Sequence, residues 1–405
     1  MKQGWDIKKL GEVLSIERGG SPRPIDKYMT NSPDGINWIK ISDATASEKY
    51  IYETKEKITR DGLHKTRVVN EGDFILSNSM SFGRPYIMKT TGCIHDGWLV
   101  LKQNTKKIFE TEFLYYLLSS PFVFQQFNFL AAGSTVRNLN IGLVSSVNVP
   151  IPPLPEQQRI VSILDEAFAA IAKAKANAEQ NLRNAKEVFE SYLQGVFEKP
   201  HTDWEVCNLE SYIKLIDYRG RTPVKTESGV RLITAKNVKL GYLQLEPQEF
   251  IAENNYNSWM SRGIPKFGDV IFTTEAPLAN VAQIDTTEKL AFAQRIIVMH
   301  PNLTKLNQTF LKYMLLSNPI RNKIIEKGTG ATVLGIKSSL LKKIEIYFPK
   351  SIETQKSIAQ NLDALSEQTK KLEAIYQQKI NDLEEMKKSI LQKAFSGGLH
   401  YDSGE

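Results

Sequence analysis

PIPPLPEQQRIVSILDEAF, residues 150–168, places three prolines directly before a stretch with helical periodicity. Pro152, Pro153 and Pro155 cannot donate backbone hydrogen bonds and hold the chain extended, so they predict the end of a strand. The helix that follows gains from the negative charge of Glu156 in its first turn, where the helix dipole favours an acid. A looser copy, YFPKSIETQKSIAQNLDAL, occupies residues 347–365. Two such helix starts predict that the chain is built twice.

The globular segments repeat as well, in the same order. The matching pairs include GINWIKISDAT (35–45) with GVRLITAKNVK (229–239), EGDFILSNSM (71–80) with FGDVIFTTEA (267–276), TEFLYYLLSSP (111–121) with QTFLKYMLLSNP (308–319), and GSTVRNLN (133–140) with GATVLGIK (330–337). Matches in register along both halves indicate a tandem duplication. Short β-branched runs bounded by Gly, Asn and Asp predict strands in each half. Each half also contains an apolar 3.6-period segment, which predicts a helix broken at Pro121 or Pro319.

The segments after the two proline-led starts have a different pattern. Their apolar residues are spaced alternately four and three apart over about five heptads, which predicts a coiled-coil seam. The side chains predicted to pack in this seam are Leu164, Phe168, Ile171, Leu182 and Phe189 in the first copy, and Leu362, Leu365, Leu372, Leu383 and Ile390 in the second. A helix of some 40 residues is about 60 Å long and outruns a domain of this size. The obvious partner for each long helix is therefore the other one.

These observations predict an α+β chain with an internal repeat of two mixed domains and two long helices. The predicted boundaries are a first globular domain at 1–152, a central helix at 153–200, a second globular domain at 201–349, a C-terminal helix at 350–398 and a tail at 399–405. A chain of 405 residues is too long for one ordinary core, which agrees with this division.

Positive charge is concentrated in the globular segments. Residues 1–150 carry a net charge of +4 and residues 201–350 a net charge of +6, whereas both helical segments are slightly acidic. A basic surface attracts polyanions, although a moderate excess is also common on soluble proteins. Two cysteines give no disulfide framework or metal spacing, and there is no apolar leader or membrane-length run. The expected location is therefore the cytoplasm.

No catalytic constellation stands out. The sequence contains no phosphate-binding GxxxxGK[ST] loop, and its five histidines lack metal-ligand spacing. One degenerate pattern, Asp34 with Glu53 and Lys55, resembles the carboxylates and lysine of a Mg²⁺-dependent nuclease, but the second half lacks it. A stand-alone nuclease and a protein-only coiled-coil scaffold therefore remain as alternative interpretations, and the expected catalytic set is empty.

The paired domains with proline-led helices resemble the specificity subunits of type I restriction-modification systems. The PLPEQQRIV core of residues 153–161 and the degenerate FPKSIETQKSIAQNLD of residues 348–363 carry this resemblance, and GSTVRNLN adds to it. The second copy departs from the pattern, with Phe348-Pro349-Lys350 in place of several prolines and with Thr354 placed opposite Gln157.

The resemblance implies a non-catalytic DNA-reading subunit with two target recognition domains, each reading half of an asymmetric split site. It further implies an antiparallel helix pair as spacer, two adenine methyltransferase subunits docked on the chain, and restriction subunits that complete the enzyme. S-adenosylmethionine would come with the methyltransferase, ATP and Mg²⁺ with the restriction subunit, and no cofactor with this chain. No membrane partner is implied.

Basic residues near Gly-rich turns are the natural candidates for contacting bases or phosphates. The predicted DNA-binding set is Arg18, Arg23, Lys40, Arg84, Lys89 and Arg137 in the first half, and Arg219, Arg221, Lys225, Arg231, Lys236 and Arg295 in the second. Trp38 and Trp98 are predicted to belong to the core instead.

Overall fold

The computed structural model describes residues 4–47, 49–78, 82–103, 107–132, 138–199, 201–218, 222–293, 295–330, 332–396 and 398. The chain divides into two compact units, the first made of Met1–Ala178 with Gln378–Glu405 and the second of Glu179–Gln377. This division differs from the predicted boundaries, because each unit takes a part of both long helices. Among the described residues, no helix is both long and apolar enough to cross a membrane.

The described residues of the first half form twelve strands and six α-helices. The strands are β1 Asp6–Lys9, β2 Leu14–Arg18, β3 Met29–Thr30, β4 Ile36–Ile39, β5 Tyr50–Ile51, β6 Glu56–Ile58, β7 Arg67–Val69, β8 Phe74–Ser77, β9 Pro85–Met88, β10 Gly92–Ile94, β11 Trp98–Gln103 and β12 Asn148–Ile151. The helices are α1 Leu10–Val13, α2 Ile41–Thr45, α3 Thr111–Ser119, α4 Pro121–Ala131, α5 Ile141–Ser145 and α6 Leu154–Phe197. Ser120 separates α3 from α4, which confirms the predicted break at Pro121.

Strands of the first unit form three sheets. The main sheet has the order β2-β11-β8-β9-β5, a second sheet has the order β3-β6-β4-β10-β7, and β1 pairs with β12. Most neighbours are antiparallel, but two pairs are parallel: β5 with β9, and β4 with β10, where Ile39 lies opposite Ile94. Trp98 is buried between the two five-stranded sheets and Trp38 in a separate cluster with Ile58 and Cys93. Their surfaces are 0% and 3% exposed, so their predicted place in the core is confirmed.

The second half repeats this arrangement with fewer strands. The strands are β13 Trp204–Asn208, β14 Ile213–Asp217, β15 Val230–Ile233, β16 Phe250–Ile251, β17 Val270–Thr273, β18 Val281–Gln283, β19 Leu290–Phe292, β20 Ile296–Pro301 and β21 Glu345–Pro349. The helices are α7 Tyr256–Trp259, α8 Gln308–Leu316, α9 Asn318–Glu326, α10 Ser338–Leu341 and α11 Ile352–Ser396. The sheets have the orders β14-β20-β17-β18 and β16-β15-β19, with β13 on β21.

Equivalent turns show that the repeat extends to single hydrogen bonds. Gly72 and Gly268 precede β8 and β17 with φ values of 89° and 88°, a left-handed conformation that glycine adopts without steric cost. Each following aspartate accepts a hydrogen bond from the amide three residues earlier, 2.9 Å long for Asp73 and 2.8 Å long for Asp269. The two halves are therefore copies of one fold.

A buried glutamine joins the start of each long helix to its domain. Gln157 accepts a hydrogen bond from the Glu110 amide at 2.7 Å and donates to the carbonyls of Ile108 and Pro152, both at 2.9 Å. In the second unit, Gln355 accepts from the Asn307 amide at 2.8 Å and donates to two equivalent carbonyls. The predicted alignment of Gln157 with Thr354 is therefore wrong by one residue, because the equivalent residue is Gln355.

The long helices pair in opposite directions within each unit. In the first unit Lys175 of α6 forms an ion pair with Glu384 of α11, and Lys387 lies 5.4 Å from the ring centre of Phe168. A later residue on α6 thus contacts an earlier residue on α11. In the second unit the last turns of α6 share a core with the first turns of α11.

Most of the residues predicted to pack in the seam are buried or half-buried. Leu164 and Leu362 are fully buried and Ile171 is 9% exposed; Phe168, Leu182, Phe189, Leu365, Leu383 and Ile390 are half-buried. Leu372 is 42% exposed, so its predicted place in the seam is wrong. The seam of α11 instead passes through Thr369, which is 4% exposed, and through half-buried Tyr376.

The final turn of each long helix completes a domain core. In the second unit Phe197 of α6 packs on Phe310, with ring centres 5.2 Å apart, and in the first unit Phe395 of α11 packs on Phe113 at 5.4 Å. The two helix ends share a short motif, LQGVF (193–197) and LQKAF (391–395).

The glutamines of these two motifs differ in one hydrogen bond. Gln194 accepts a hydrogen bond from the amide of Asn318 at 2.7 Å. The equivalent oxygen of Gln392 is buried without a partner. Its expected donor would be residue 121, which is a proline and has no N–H group.

Candidate nucleic-acid interface

Several loops meet at one end of the main sheet of the first unit, here called the loop end. The Leu139 amide donates to the Asn78 carbonyl at 2.9 Å, and the Asn78 amide donates to the Gly97 carbonyl at 3.1 Å. The Gly19 amide completes the set by donating to the Trp98 carbonyl at 3.0 Å. These contacts join the segment after β2, the turn after β8, the turn before β11 and the loop before α5.

The second unit has the same loop end. The Ile336 amide donates to the Thr274 carbonyl, and the Thr274 amide donates to the Arg295 carbonyl, both at 2.9 Å. The amide of Tyr218 donates to the carbonyl of Ile296 at 3.4 Å. By these contacts Arg295 occupies the place of Gly97, and both Gly-rich segments singled out in the sequence lead into a loop end.

Asp96 gathers two of the predicted DNA-binding arginines in the first unit. Arg18 donates from Nε to the Asp96 carbonyl at 3.0 Å, and Nη2 of Arg23 lies 3.8 Å from the Asp96 carboxylate. Ser21 donates to the same carboxylate at 2.7 Å, and this hydrogen bond lowers the pKa of Asp96 below its usual value. A charged carboxylate therefore holds a strongly exposed arginine, with 82% of the Arg23 side chain in solvent.

Lys40 lies at the same end, because β4 and β10 run parallel and end side by side. Its Nζ is 2.6 Å from a carboxylate oxygen of Glu56. The neighbouring His95 ring lies 6.1 Å from Trp38, and its Nδ1 accepts a hydrogen bond from the Gly97 amide at 2.9 Å. Burial lowers the pKa of His95 below its usual value, so the ring is neutral at neutral pH. Arg23, Lys40 and His95 line one open groove.

The structure separates Arg84 from Lys89. Arg84 directly precedes β9 at the loop end, where its amide donates to the Ser77 hydroxyl at 3.2 Å. Lys89 follows β9 at the opposite end of the strand and lies 5.2 Å from the ring centre of Tyr50. Lys89 therefore lies away from the loop end, and its DNA contact stays a prediction.

The second unit distributes its predicted residues over two places. Arg295 is at the loop end, where its Nε lies 2.9 Å from a carboxylate oxygen of Glu275. Lys225 and Arg231 lie beside edge strand β16: Lys225 pairs with Glu249 at 2.8 Å, and Arg231 is 5.7 Å from the Phe250 ring centre.

The remaining four residues of the predicted DNA-binding set are Lys236, Arg137, Arg219 and Arg221. Lys236 is exposed in the turn after β15. Arg137, Arg219 and Arg221 lie outside the described residues.

The register of β4 and β6 separates the carboxylates of the nuclease hypothesis. These strands are antiparallel, with Ile36 opposite Ile58 and Trp38 opposite Glu56. Asp34 precedes β4 and Glu53 precedes β6, so the two carboxylates lie beyond opposite ends of the strand pair. Two ligands of one Mg²⁺ ion must lie within a few ångströms of each other. The arrangement therefore does not favour a nuclease.

Sequence reasoning did not identify the acidic partners of these arginines. Asp96 and Glu275 hold Arg18, Arg23 and Arg295 in place, yet neither belongs to a recognisable motif. The available signal was positional, since Asp96 lies just before Trp98 and Glu275 lies near the end of the repeated segment FGDVIFTTEA.

Comparison with known proteins identifies the class. A family model described as the type I restriction modification DNA specificity domain matches residues 2–180 and again residues 203–385. The MjaVIII specificity subunit of Methanocaldococcus jannaschii is 22% identical over 98% of this chain and 93% of its own length. The EcoKI specificity subunit of Escherichia coli K12 is 23% identical over 98% of this chain and 90% of its own.

Solved structures show the same fold. A chain described in work on complex assembly and conformational transition of the type I R-M system has a TM-score of 0.80, 20% identity, and coverage of 98% of this chain and 99% of that one. The HsdS subunit of Thermoanaerobacter tengcongensis has a TM-score of 0.64 at 20% identity, with 98% of each chain covered.

The chain belongs to the family of type I restriction-modification DNA specificity domains and carries two copies of that domain. Its function is that of this family, the recognition of DNA sequence within a restriction-modification system, without a catalytic step of its own.

Proposed function

We propose that the two loop ends read the two different halves of one bipartite, asymmetric DNA site. The observation that carries this proposal is that positions with equivalent backbone hydrogen bonds hold different side chains in the two units. Arg18, which pairs with Leu99, is replaced by Asp217, which pairs with Ile297. Gly97 is likewise replaced by Arg295. Equal scaffolds with unequal side chains suit two unequal sequences.

The chain would position two adenine methyltransferase subunits on this site, and restriction subunits would complete the enzyme. S-adenosylmethionine would be bound by the methyltransferase subunits and ATP with Mg²⁺ by the restriction subunits. This chain would contribute double-stranded DNA recognition and bind no cofactor itself. The net charges of +4 and +6 in the two globular segments suit a polyanionic partner.

Exposed apolar side chains on the long helices support the docking of a helical partner. Four of them lie in the second unit: Val188, Tyr192, Leu372 and Ile375. Val188, Tyr192 and Ile375 each directly precede a residue that packs between the helices, and Leu372 lies one turn before Ile375. Residues that directly follow the seam, such as Asp363, face the domain, where Asp363 accepts a hydrogen bond from the Tyr313 hydroxyl at 2.5 Å. Because each residue turns the helix by about 100°, the preceding residues lie on the opposite flank.

That opposite flank is shared by both helices. In an antiparallel pair, the residues before the seam on one helix and those before the seam on the other lie on the same side. The four side chains therefore form one apolar strip, which suits a further helix packed against the pair. We propose that a helix of the methyltransferase subunit occupies this strip in the second unit.

The spacing of the two half-sites provides the test of DNA reading. The complex of this chain with its methyltransferase subunits is expected to methylate adenine in one bipartite sequence. Two base pairs added between the half-sites rotate one half by about 70° and move it by about 7 Å. Because a continuous helix connects the two domains, we expect methylation to fall at least about 10-fold, measured on synthetic duplexes.

The matched control changes the bases of the spacer and keeps its length, which is expected to leave the rate unchanged. Equal methylation of the lengthened duplex would contradict bipartite reading by a fixed spacer.

The docking of a helix on the apolar strip is tested by placing two aspartates in the strip. Val188→Asp with Ile375→Asp is expected to weaken methyltransferase binding by at least about 10-fold, because an apolar contact is replaced by buried carboxylates. Binding is measured by calorimetry on the full chain. Gln360→Asp, an exposed position on the same helix, serves as control. If the double variant binds the methyltransferase as tightly as the control does, the docking proposal is wrong.

A further inference from the structure

Arg295 occupies an unusual backbone position at the second loop end. Its φ is 75°, a left-handed conformation that costs free energy for a residue with a Cβ atom. The residue with the equivalent hydrogen bond in the first unit, Gly97, does not have a positive φ, so the left-handed conformation at this position is particular to the second unit. Among the described residues, the non-glycine residues with positive φ are Ala276, Ala279 and Arg295, and all three lie in the two adjoining turns of this loop end. Such strain is concentrated at functional sites, where the surrounding structure holds it.

The Arg295 side chain is held without being buried. Its Nε lies 2.9 Å from Glu275, and the two side chains are 49% and 40% exposed. An ion pair this exposed adds little stability, so it does not explain why a side chain stands where a glycine would be unstrained. It does orient the guanidinium group, whose planar fork can bind two acceptors at once.

Glu275 is itself fixed by the Gly-rich loop. Its backbone forms a β-bridge with Gly335. A Cβ on Gly335 would lie 3.2 Å from the Cβ of Glu275 and 3.2 Å from the Thr274 carbonyl oxygen, so the two chains approach more closely than most side chains permit. The repeated Gly-containing segment GATVLGIK (330–337) thus packs against the residue that orients Arg295.

We infer that Arg295 is a specificity-determining residue of the second half-site and reads the O6 and N7 acceptors of a guanine, with Glu275 as its positioning residue. An arginine fork matches these two acceptors in the major groove. The inference rests on the proposed function, because it presupposes that the second loop end contacts base pairs.

The experiment uses the complex of the full chain with its adenine methyltransferase subunits and compares methylation of duplexes that differ at single base pairs. For Arg295→Gly we expect the preference for guanine at one position of the second half-site to fall about 10- to 100-fold, with the first half-site unchanged. Arg295→Lys should lose the same preference, because lysine keeps the charge but not the fork. Glu275→Gln should lose part of it.

Two controls separate reading from folding and from general DNA affinity. Arg295→Gly removes the left-handed strain, so its melting temperature is expected to equal or exceed that of the parent chain. Lys266→Gln, an exposed position just before β17 and at the opposite end of that strand from the loop end, is expected to leave the recognised sequence unchanged.

The outcomes distinguish the inference from the proposed function. If the parent complex methylates a bipartite sequence and Arg295→Gly reads the same sequence with equal preference, this inference is wrong and the proposed function stands. If Arg295→Lys retains the preference for guanine, the planar guanidinium fork is not what reads the base and the inference is also wrong. If the parent complex shows no bipartite specificity, both are wrong.

Discussion

Replacing Phe395 with alanine is expected to lower the free energy of unfolding of the first unit by about 3–5 kcal/mol. Phe395 is fully buried and packs edge-on against Phe113, although it is only ten residues from the end of the chain. Its neighbours in the last turn, Leu391 and Ala394, are buried in the same core. Truncation would leave a cavity that the surrounding helices and strands cannot fill. Amide hydrogen exchange followed by mass spectrometry measures the effect on each unit.

The chain provides matched controls for this prediction. Phe197→Ala is expected to destabilise the second unit by a similar amount, because Phe197 is fully buried against Phe310. Met386→Ala, on the same helix as Phe395, is expected to change stability by less than about 1 kcal/mol because Met386 is 51% exposed. Equal exchange rates in Phe395→Ala and Met386→Ala would show that the helix end does not belong to the core.

Replacing Gln157 with leucine is expected to cost about 3 kcal/mol or more. The side chain is fully buried and satisfies one backbone N–H and two backbone carbonyls. Leucine has a similar volume but leaves these groups buried and unpaired, at about 1–3 kcal/mol for each group that water cannot reach. Because these bonds join α6 to the loop before α3, the first unit should unfold earlier in chemical denaturation.

Neighbouring residues supply the comparison. Gln158→Leu changes an exposed side chain and is expected to stay within about 0.5 kcal/mol of the parent. In the second unit, Gln355→Leu should be as damaging as Gln157→Leu, and Thr354→Leu nearly neutral. The reverse order at 354 and 355 would restore the alignment of Gln157 with Thr354 and refute the structural one.

The repeat and the long helices were predictable because their signals are local and occur twice. Proline before a 3.6-period stretch marks the end of a strand and the start of a helix, and the matched glycines Gly72 and Gly268 mark equivalent turns. The exact seam was less predictable. A heptad template applied from Leu365 places Leu372 in the seam, but a straight helix drifts by about 20° per heptad against that template. Leu372 is therefore displaced from the buried stripe, whereas Thr369 and Tyr376, which the same alternating spacing contains, stay in it.

The candidate interface was predictable as a set of basic residues, but not as a surface. Arg84 and Lys89 are close in sequence, yet a strand of four residues sends them to opposite ends of a sheet. Conversely, Arg18 and Asp96 are far apart in sequence and meet because β2 pairs with β11. Strand register decides both outcomes, and it depends on long-range pairing that no short motif encodes.

The shared LQxxF spacing of the two helix ends has a consequence for how such chains can diversify. Each helix end carries a leucine and a phenylalanine four residues apart, Leu193 with Phe197 and Leu391 with Phe395. The first pair is buried in the core of the second domain and the second pair in the core of the first domain, although neither pair belongs to the globular segment that it completes. A recombination that replaces the whole segment between one LQxxF motif and the next would keep the buried leucine and phenylalanine of both motifs. New target sequences could then be acquired by shuffling whole blocks, with no compensating mutation in either interior.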